Sequence, residues 1–203
     1  MLIGDSHAAQ FYDAVKKSFP DYDVMQATAS GCLPLVSPAG EKRCTSLINN
    51  VYEKYINKYK IDMVVVTGNW ITEEKRLGNL NSLVERMVIS NAALTKSVKN
   101  VFFIGQTKIF KYPMYRTVQV ENEKGIASQE LIDIKEFNSS LATALSGTNI
   151  KYIDIYNYGC SASDCSYVDK SGTPFMFDSN HMTMPWSLAV IKKVSSVIND
   201  LIK

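Results

Sequence analysis

The feature that most constrains the fold is a pair of short apolar segments, Ile61 to Thr67 and Val101 to Gly105. Each has the length of a strand and lacks the alternation of apolar and polar residues that is typical of a strand with one exposed face. Each therefore predicts a strand buried on both faces. Apolar residues at helical spacing lie between these segments and on both sides of them. Alternating strands and helices predict an α/β domain, in which helices cover both faces of a parallel sheet.

The predicted elements follow one another without an internal repeat or a second domain. The stretch from Lys108 to Gly125 has no clean period and is predicted to be a long loop, a kind of segment that often carries function. The chain opens inside its first predicted strand, as in a domain cut from a longer protein. Strands are predicted at residues 1–5, 22–28, 61–67, 101–105 and 150–155, and helices at residues 7–19, 46–60, 80–98, 128–145 and 185–201.

Composition excludes several classes of function. The chain has 203 residues, of which 46% are hydrophobic, and this is ordinary for one globular domain. Its net charge of +2 gives no reason to expect a nucleic-acid partner. The longest apolar runs are too short to cross a bilayer, and no signal peptide is visible.

Four cysteines occur as two local pairs, Cys32 with Cys44 and Cys160 with Cys165. Four cysteines allow three disulfide connectivities, and the sequence alone does not choose among them. Free thiols and a zinc site are the alternatives, although neither spacing matches that of a zinc knuckle. Both pairs lie in loop-like sequence that closes easily into a short ring, so we expect two local disulfides and an oxidising compartment.

Only two histidines occur, and they lie in short polar segments near opposite ends of the chain. His7 follows Gly4-Asp5-Ser6 at the end of the first predicted strand, and His181 closes the segment from Asp178. A serine becomes a nucleophile when an imidazole takes its proton and a carboxylate fixes the imidazole's tautomer. Ser6, His181 and Asp178 supply these groups and predict a serine hydrolase or acyltransferase.

Each fragment also has a purely structural interpretation. Gly-Asp-Ser is a common turn, and Asp-x-x-His occurs at helix N-termini. Asp5 is expected to make loop hydrogen bonds rather than to join the triad. His7 is the rival base, but adjacent side chains generally point apart, which favours His181 as the partner of Ser6.

The site segments also resemble a known family. Ligands bind at the carboxyl ends of the strands in an open parallel sheet, and the segments are predicted to lie there. The SGNH, or GDSL-like, hydrolases are named for a serine, a glycine, an asparagine and a histidine in four separate sequence blocks. The segments of this chain resemble those blocks in the same order, and the resemblance extends over nearly the whole chain. A narrower resemblance is to SGNH domains fused to membrane acyltransferase-3 proteins, which O-acetylate bacterial surface polysaccharides. The first resemblance is carried by Ser6, Gly31, Asn69, Asp178 and His181, and the second by residues 4–8, 30–35 and 177–183 with Cys160 and Cys165.

The resemblance implies a three-layer α/β/α, flavodoxin-like fold with a central parallel sheet. It also implies that residues 1–203 are a single SGNH domain, excised from a longer membrane-associated acyltransferase. The domain would be periplasmic or otherwise extracytoplasmic and tethered to the inner membrane. The expected partners are a glycan and a membrane acyltransferase domain in the same polypeptide. No cofactor, metal or nucleic acid is expected, and the isolated domain is expected to be monomeric.

The family's site residues transfer to matching positions. Ser6 would be the nucleophile, His181 the base and Asp178 the group that orients it. The oxyanion hole would consist of the backbone N–H groups of Ser6 and Gly31 and the side-chain amide of Asn69. Four other residues, which the family does not supply, are candidates for contact with the glycan, and ordinary packing is the competing interpretation for each: Trp70, Tyr112, Tyr115 and Arg116.

The predicted function is O-acetyl transfer to, or ester hydrolysis on, a cell-surface carbohydrate. One alternative is a free-standing carbohydrate esterase or lipase-like acylhydrolase of the same fold. An alternative of a different class is a non-catalytic carbohydrate-binding module.

Overall fold

The centre of the fold is a five-stranded parallel sheet. The computed structural model describes residues 1–120, 123–127, 130, 132–158, 160 and 166–202. The strands are β1 (Leu2–Gly4), β2 (Gln26–Thr28), β3 (Met63–Thr67), β4 (Asn100–Ile104) and β5 (Lys151–Ile153). Their order is β2-β1-β3-β4-β5, which is that of flavodoxin-like sheets.

Helices occupy the connections between strands. α1 (Ser6–Ala9) and α2 (Tyr12–Ser18) follow β1, and α3 (Lys42–Asn50), a π-helical turn (Val51–Tyr55) and α4 (Ile56–Lys58) follow β2. α5 (Trp70–Leu77) and α6 (Leu80–Thr95) follow β3. α7 (Met114–Val120), α8 (Glu123–Ala127) and α9 (Ile132–Ser146) follow β4, and α10 (Met184–Ile202) follows β5.

Alternating strand residues divide the core into two apolar layers, one on each face of the sheet. Val64 and Val66 of β3 pack with residues of α3, α6 and α9. Met63 and Val65 of the same strand pack with residues of α2 and α10. Every residue of β3 is buried, as the apolar segment predicts. The predicted three-layer α/β/α architecture is therefore confirmed.

Gly4 allows the first strand to end in close contact with its neighbours. A Cβ atom at this position would lie 2.0 Å from the carbonyl oxygen of Thr67 and 2.4 Å from the Cβ of Ala8. A residue with a side chain would therefore push β1 away from β3 and α1. This close approach brings the chain segments after β1 and β3 together at the carboxyl edge of the sheet.

The structure contains the predicted disulfide between Cys32 and Cys44, which are 12 residues apart in sequence. A ring of this size stabilises a fold by about 3 kcal/mol because it restricts the unfolded chain. The bond closes the loop between β2 and α3. The other predicted pairing involves Cys165, which lies outside the described residues, so that pairing stays a prediction.

The prediction of a loop from Lys108 to Gly125 is wrong for much of that segment. Helix α7 occupies Met114–Val120, and α8 begins at Glu123. Met114 and Thr117 are buried at helical spacing, and Val118 packs against the same core. Because α7 has only seven residues, the sequence contains too few buried positions to reveal the period. Part of the predicted helix at residues 128–145, including its start, also lies outside the described residues.

Candidate active site

Ser6, His181 and Asp178 are in hydrogen-bonding contact at the carboxyl edge of the sheet. Ser6 is the first residue of α1, and its Oγ lies 2.9 Å from Nε2 of His181. Nδ1 of the same ring lies 2.7 Å from Oδ2 of Asp178. The fold thus joins a serine to a histidine 175 residues away. A hydroxyl, an imidazole and a carboxylate in this order can activate a serine as a nucleophile.

Asp178 is fixed by a tight turn. Its Oδ1 accepts hydrogen bonds from the backbone N–H groups of Asn180 at 2.8 Å and His181 at 2.7 Å. Partial burial alone would raise the pKa of Asp178, but these bonds and the one from the His181 ring bring it below its usual value. Asp178 is therefore ionised at neutral pH, and its charge can stabilise a protonated His181.

Neighbouring segments hold the turn in place. The backbone N–H of Phe110 donates to the carbonyl of Ser179 at 2.8 Å, and that of Met114 donates to the carbonyl of Asp178 at 3.0 Å. On the other side, the backbone N–H of Met182 donates to Oε1 of Gln10 at 2.6 Å. The turn that carries Asp178 and His181 is thus bonded both to the start of α7 and to the end of α1.

His7 is buried next to His181. The residue is 1% exposed, and its ring lies 5.0 Å from the ring of His181, centroid to centroid. Nδ1 lies 3.3 Å from Oγ1 of Thr107, whereas Nε2 has no hydrogen-bond partner among the described residues. Burial lowers the pKa of His7 to about 4, so the ring is neutral at physiological pH. His181, not His7, is the histidine bonded to Ser6.

Asn69 lies at the end of β3 and caps helix α5. Its side-chain Oδ1 accepts a hydrogen bond from the backbone N–H of Thr72 at 3.4 Å. This cap uses the oxygen of the side chain and leaves the Nδ2 amide as the group able to donate to a ligand. Ser6 is the first residue of α1, so its own N–H lies among the helix N–H groups that lack an intrahelical acceptor.

Gly31 lies in the loop after β2, next to the strand that carries Ser6. The backbone N–H of Ala29 donates to the carbonyl of Gly4 at 3.0 Å and extends the β1–β2 pairing toward Gly31. Gly31 has a φ of +100°, which favours glycine, and its carbonyl accepts from the N–H of Glu41 at 2.8 Å. The disulfide at Cys32 closes the same loop.

Asp5 connects two of these segments. Its Oδ1 accepts from the backbone N–H of His7 at 2.7 Å, and its Oδ2 accepts from that of Asn69 at 2.8 Å. The residue is 6% exposed. Asp5 therefore makes loop hydrogen bonds, as the sequence predicts, and these bonds hold the start of α1 against the start of α5.

The residues predicted to contact substrate fall into two groups. Trp70 is fully buried, and its Nε1 donates to the carbonyl of Ile104 in β4 at 2.8 Å. Trp70 is thus a core residue, and its predicted role in substrate binding is wrong. Tyr112, Tyr115 and Arg116 are exposed at and beside the start of α7, which is bonded to the Asp178 turn.

The sequence interpretation gave no functional role to Phe177, which directly precedes Asp178. Its side chain is 54% exposed, and its ring stacks on that of His181 with 5.7 Å between centroids and 17° between planes. Its backbone N–H donates to the carbonyl of His181 at 3.0 Å. In the sequence, an apolar residue before the four polar residues 178–181 resembles a core position, so only its exposure in the structure indicates a role at the surface.

The sequence matches a known family along almost all of its length. The model of SGNH domains fused to AT3 domains covers residues 1–195, and the chain therefore belongs to this family. No curated protein matches the sequence significantly. Among the described residues, no helix combines the length and apolar character needed to cross a membrane.

Solved structures share the fold. The periplasmic domain of a lipopolysaccharide acetyltransferase from Salmonella ser. Paratyphi A matches with a TM-score of 0.80 at 18% identity, over 100% of this chain and 82% of that one. Est24, a carbohydrate acetylesterase from Sinorhizobium meliloti, matches with a TM-score of 0.55 at 11% identity, over 94% and 85% of the two chains. An aryl esterase from M. smegmatis gives 0.56 at 9% identity over the same shares.

Proposed function

We propose that this domain transfers acetyl groups to a bacterial cell-surface carbohydrate or hydrolyses acetyl esters on it. Its catalytic triad would be Ser6, His181 and Asp178. The observation that carries the proposal is the continuous contact from Ser6 Oγ to His181 at 2.9 Å and on to Asp178 at 2.7 Å. Membership of the SGNH family supports acyl chemistry. The carbohydrate substrate is favoured because two structural neighbours are a lipopolysaccharide acetyltransferase and a carbohydrate acetylesterase.

The first half-reaction forms an acyl-enzyme. Ser6 Oγ attacks the ester carbonyl while Nε2 of His181 takes the hydroxyl proton. Asp178 holds Nδ1–H and stabilises the imidazolium. When the tetrahedral intermediate collapses, the C–O bond to the alcohol breaks, and His181 delivers the proton to the departing oxygen. The acetyl group then remains on Ser6.

The second half-reaction reverses these roles. Water or a sugar hydroxyl gives its proton to His181 and attacks the acetyl carbonyl. The bond to Ser6 breaks, and His181 returns the proton to Oγ. Water as the acceptor gives hydrolysis, whereas a bound sugar gives transfer, which also requires that the site exclude competing water.

The negative charge of both intermediates needs preorganised donors. We assign these donors as the backbone N–H groups of Ser6 and Gly31 and the Nδ2 amide of Asn69. One donor of this kind typically lowers the barrier by about 2.7–4 kcal/mol, because it is aimed at charge that develops on the way to the tetrahedral intermediate and is much smaller on the ground-state carbonyl.

The proposed setting is extracytoplasmic. The family is defined by fusion to AT3 domains, so a membrane acyltransferase domain in the same polypeptide is the proposed acetyl source. The Cys32–Cys44 disulfide agrees with a periplasmic location, because disulfides persist in oxidising compartments. Without that partner, the isolated domain is expected to hydrolyse small acetyl esters slowly.

Ester turnover tests the proposal. The purified domain should hydrolyse p-nitrophenyl acetate faster than the octanoyl ester, and Ser6→Ala should abolish the activity. Preference for the octanoyl ester would favour a lipase-like acylhydrolase, and absence of turnover would favour a binding module. In a second assay, efficient transfer from acetyl-coenzyme A to a surface-polysaccharide fragment would contradict the need for a membrane partner.

Asp5→Asn is expected to lower kcat for p-nitrophenyl acetate about tenfold, with a smaller change in KM. An asparagine side chain keeps one acceptor oxygen, so it loses one of the two N–H contacts that join His7 to Asn69. If Asp5 acts by positioning Asn69, its effect should shrink in an Asn69→Ala background. Asp154→Asn controls for the loss of a carboxylate charge, because Asp154 accepts from a backbone N–H and an amide through Oδ1 alone, and an asparagine keeps that oxygen. Full additivity with Asn69→Ala would contradict the positioning role.

A further inference from the structure

A group of exposed aromatic and basic side chains lies around the start of α7 and directly before Asp178. Tyr112 is 50% exposed, Tyr115 46% and Phe177 54%, and the neighbouring cations are also exposed. We call this group the basic aromatic rim, and its members are Lys111, Tyr112, Tyr115, Arg116 and Phe177. Clustered exposed apolar surface of this kind marks binding sites more often than isolated exposed residues do.

The rim is attached to the catalytic residues. Four of its members flank Met114, whose backbone N–H bonds to the carbonyl of Asp178 at 3.0 Å. Phe110, directly before Lys111, is bonded in the same way to Ser179 at 2.8 Å. Phe177 stacks on the His181 ring itself. A ligand that covers the rim therefore also lies next to the acid–base pair.

The rim carries two positive charges, those of Lys111 and Arg116. Lys111 Nζ lies 5.3 Å from the centre of the Tyr112 ring, and the Arg116 guanidinium lies 5.7 Å from that of Tyr115. Within the described part of the chain, neither cation forms an ion pair with a carboxylate. Both cations are thus held beside aromatic faces and remain able to bind an anion.

We propose that the basic aromatic rim selects an acidic glycan, one that carries carboxylate or phosphate groups, as the carbohydrate acted on by the triad. Lys111 and Arg116 bind the anionic groups, and the exposed rings pack against the sugar faces. This inference rests on the proposed function and adds the charge of the substrate to it. A neutral glycan would use the rings but leave both cations without a partner.

Binding measurements separate this inference from catalysis. The Ser6→Ala protein is titrated calorimetrically with acetylated oligogalacturonide, an acidic probe, and with acetylated xylo-oligosaccharide, a neutral probe. The acidic probe is expected to bind about tenfold more tightly, since each of two exposed ion pairs contributes a few-fold. The double variant Lys111→Gln/Arg116→Gln should bring the ratio of the two dissociation constants close to one. Raising NaCl from about 0.05 to about 0.5 M should also bring this ratio close to one in the Ser6→Ala protein, because salt screens exposed ion pairs.

Matched variants control for charge and folding. Lys111→Arg with Arg116→Lys keeps both charges and should retain most of the preference. Lys16→Gln with Lys17→Gln removes two exposed charges on α2, outside the rim, and should leave the ratio unchanged. Thermal unfolding checks that each variant is folded.

Equal affinity for the two probes in the Ser6→Ala protein would overturn the inference. It would also be overturned if the rim variants lost affinity for phosphatidylglycerol vesicles while oligogalacturonide binding did not change, because the rim would then bind lipid. Selective binding to the acidic probe without ester turnover by the wild-type domain would contradict the proposed function but support the rim.

Discussion

Replacing His181 by alanine is expected to lower kcat for p-nitrophenyl acetate by about 10⁴-fold or more. His181 contacts Ser6 Oγ at 2.9 Å, so its loss leaves the hydroxyl without a base. The water that attacks the acyl-enzyme also loses the base that takes its proton. Steady-state kinetics of the folded variant measure the effect, and circular dichroism confirms the fold.

His7→Ala is the matched control, because His7 is the only other histidine and lies 5.0 Å from the same ring. Its kcat should stay within about tenfold of wild type, since Ser6 Oγ contacts His181 and Nδ1 of His7 contacts Thr107 instead. A large loss with His7→Ala and a small loss with His181→Ala would assign the base to His7.

Asn69→Ala is expected to lower kcat about 10²-fold with little change in KM. In the proposed oxyanion hole the Nδ2 amide donates to the oxyanion, whose charge is larger in the transition state than on the ground-state carbonyl. The same side chain caps α5 through Oδ1, so the substitution also removes a helix cap.

Two further variants separate the cap from the donor. Asn69→Ser keeps a capping oxygen but has no amide, so its kcat should fall nearly as far as that of Asn69→Ala. Asn79→Ala removes an equivalent asparagine cap, which accepts from the N–H of Ser82 at 2.9 Å at the start of α6. Asn79→Ala should lower the free energy of unfolding by about 1 kcal/mol and leave kcat unchanged. Full activity in both Asn69→Ser and Asn69→Ala would mean that the amide makes no contribution to catalysis.

The sheet was predictable because its strands have a strong local signal. β3 and β4 are buried on both faces, so nearly every side chain in them is apolar, and the segments are visible without any tertiary information. The contact among Ser6, His181 and Asp178 was predictable for a different reason. Parallel strands end at one edge of the sheet, so polar residues that follow separate strands meet there.

Short helices and tertiary contacts were less predictable. Helix α5 is capped by Asn69 and is followed by Gly78 in a left-handed conformation. These two residues were the only local signs of where the helix begins and ends. Trp70 was misassigned because a tryptophan directly after a strand can face either solvent or core. Its hydrogen bond to Ile104 depends on β4, which lies 34 residues away in sequence. The link from Asp5 to Asn69 likewise joins residues that are 64 apart.

Labelling with a fluorophosphonate tests the central claim most directly, because this reagent reacts with a serine only when a base activates it. The proposed triad predicts a single adduct on the folded domain, which peptide mass mapping places on Ser6. Ser6→Ala and His181→Ala should both abolish the adduct, and His7→Ala should retain it. An adduct on another serine, or labelling that survives in the Ser6→Ala protein, would contradict the assignment of Ser6 as the nucleophile.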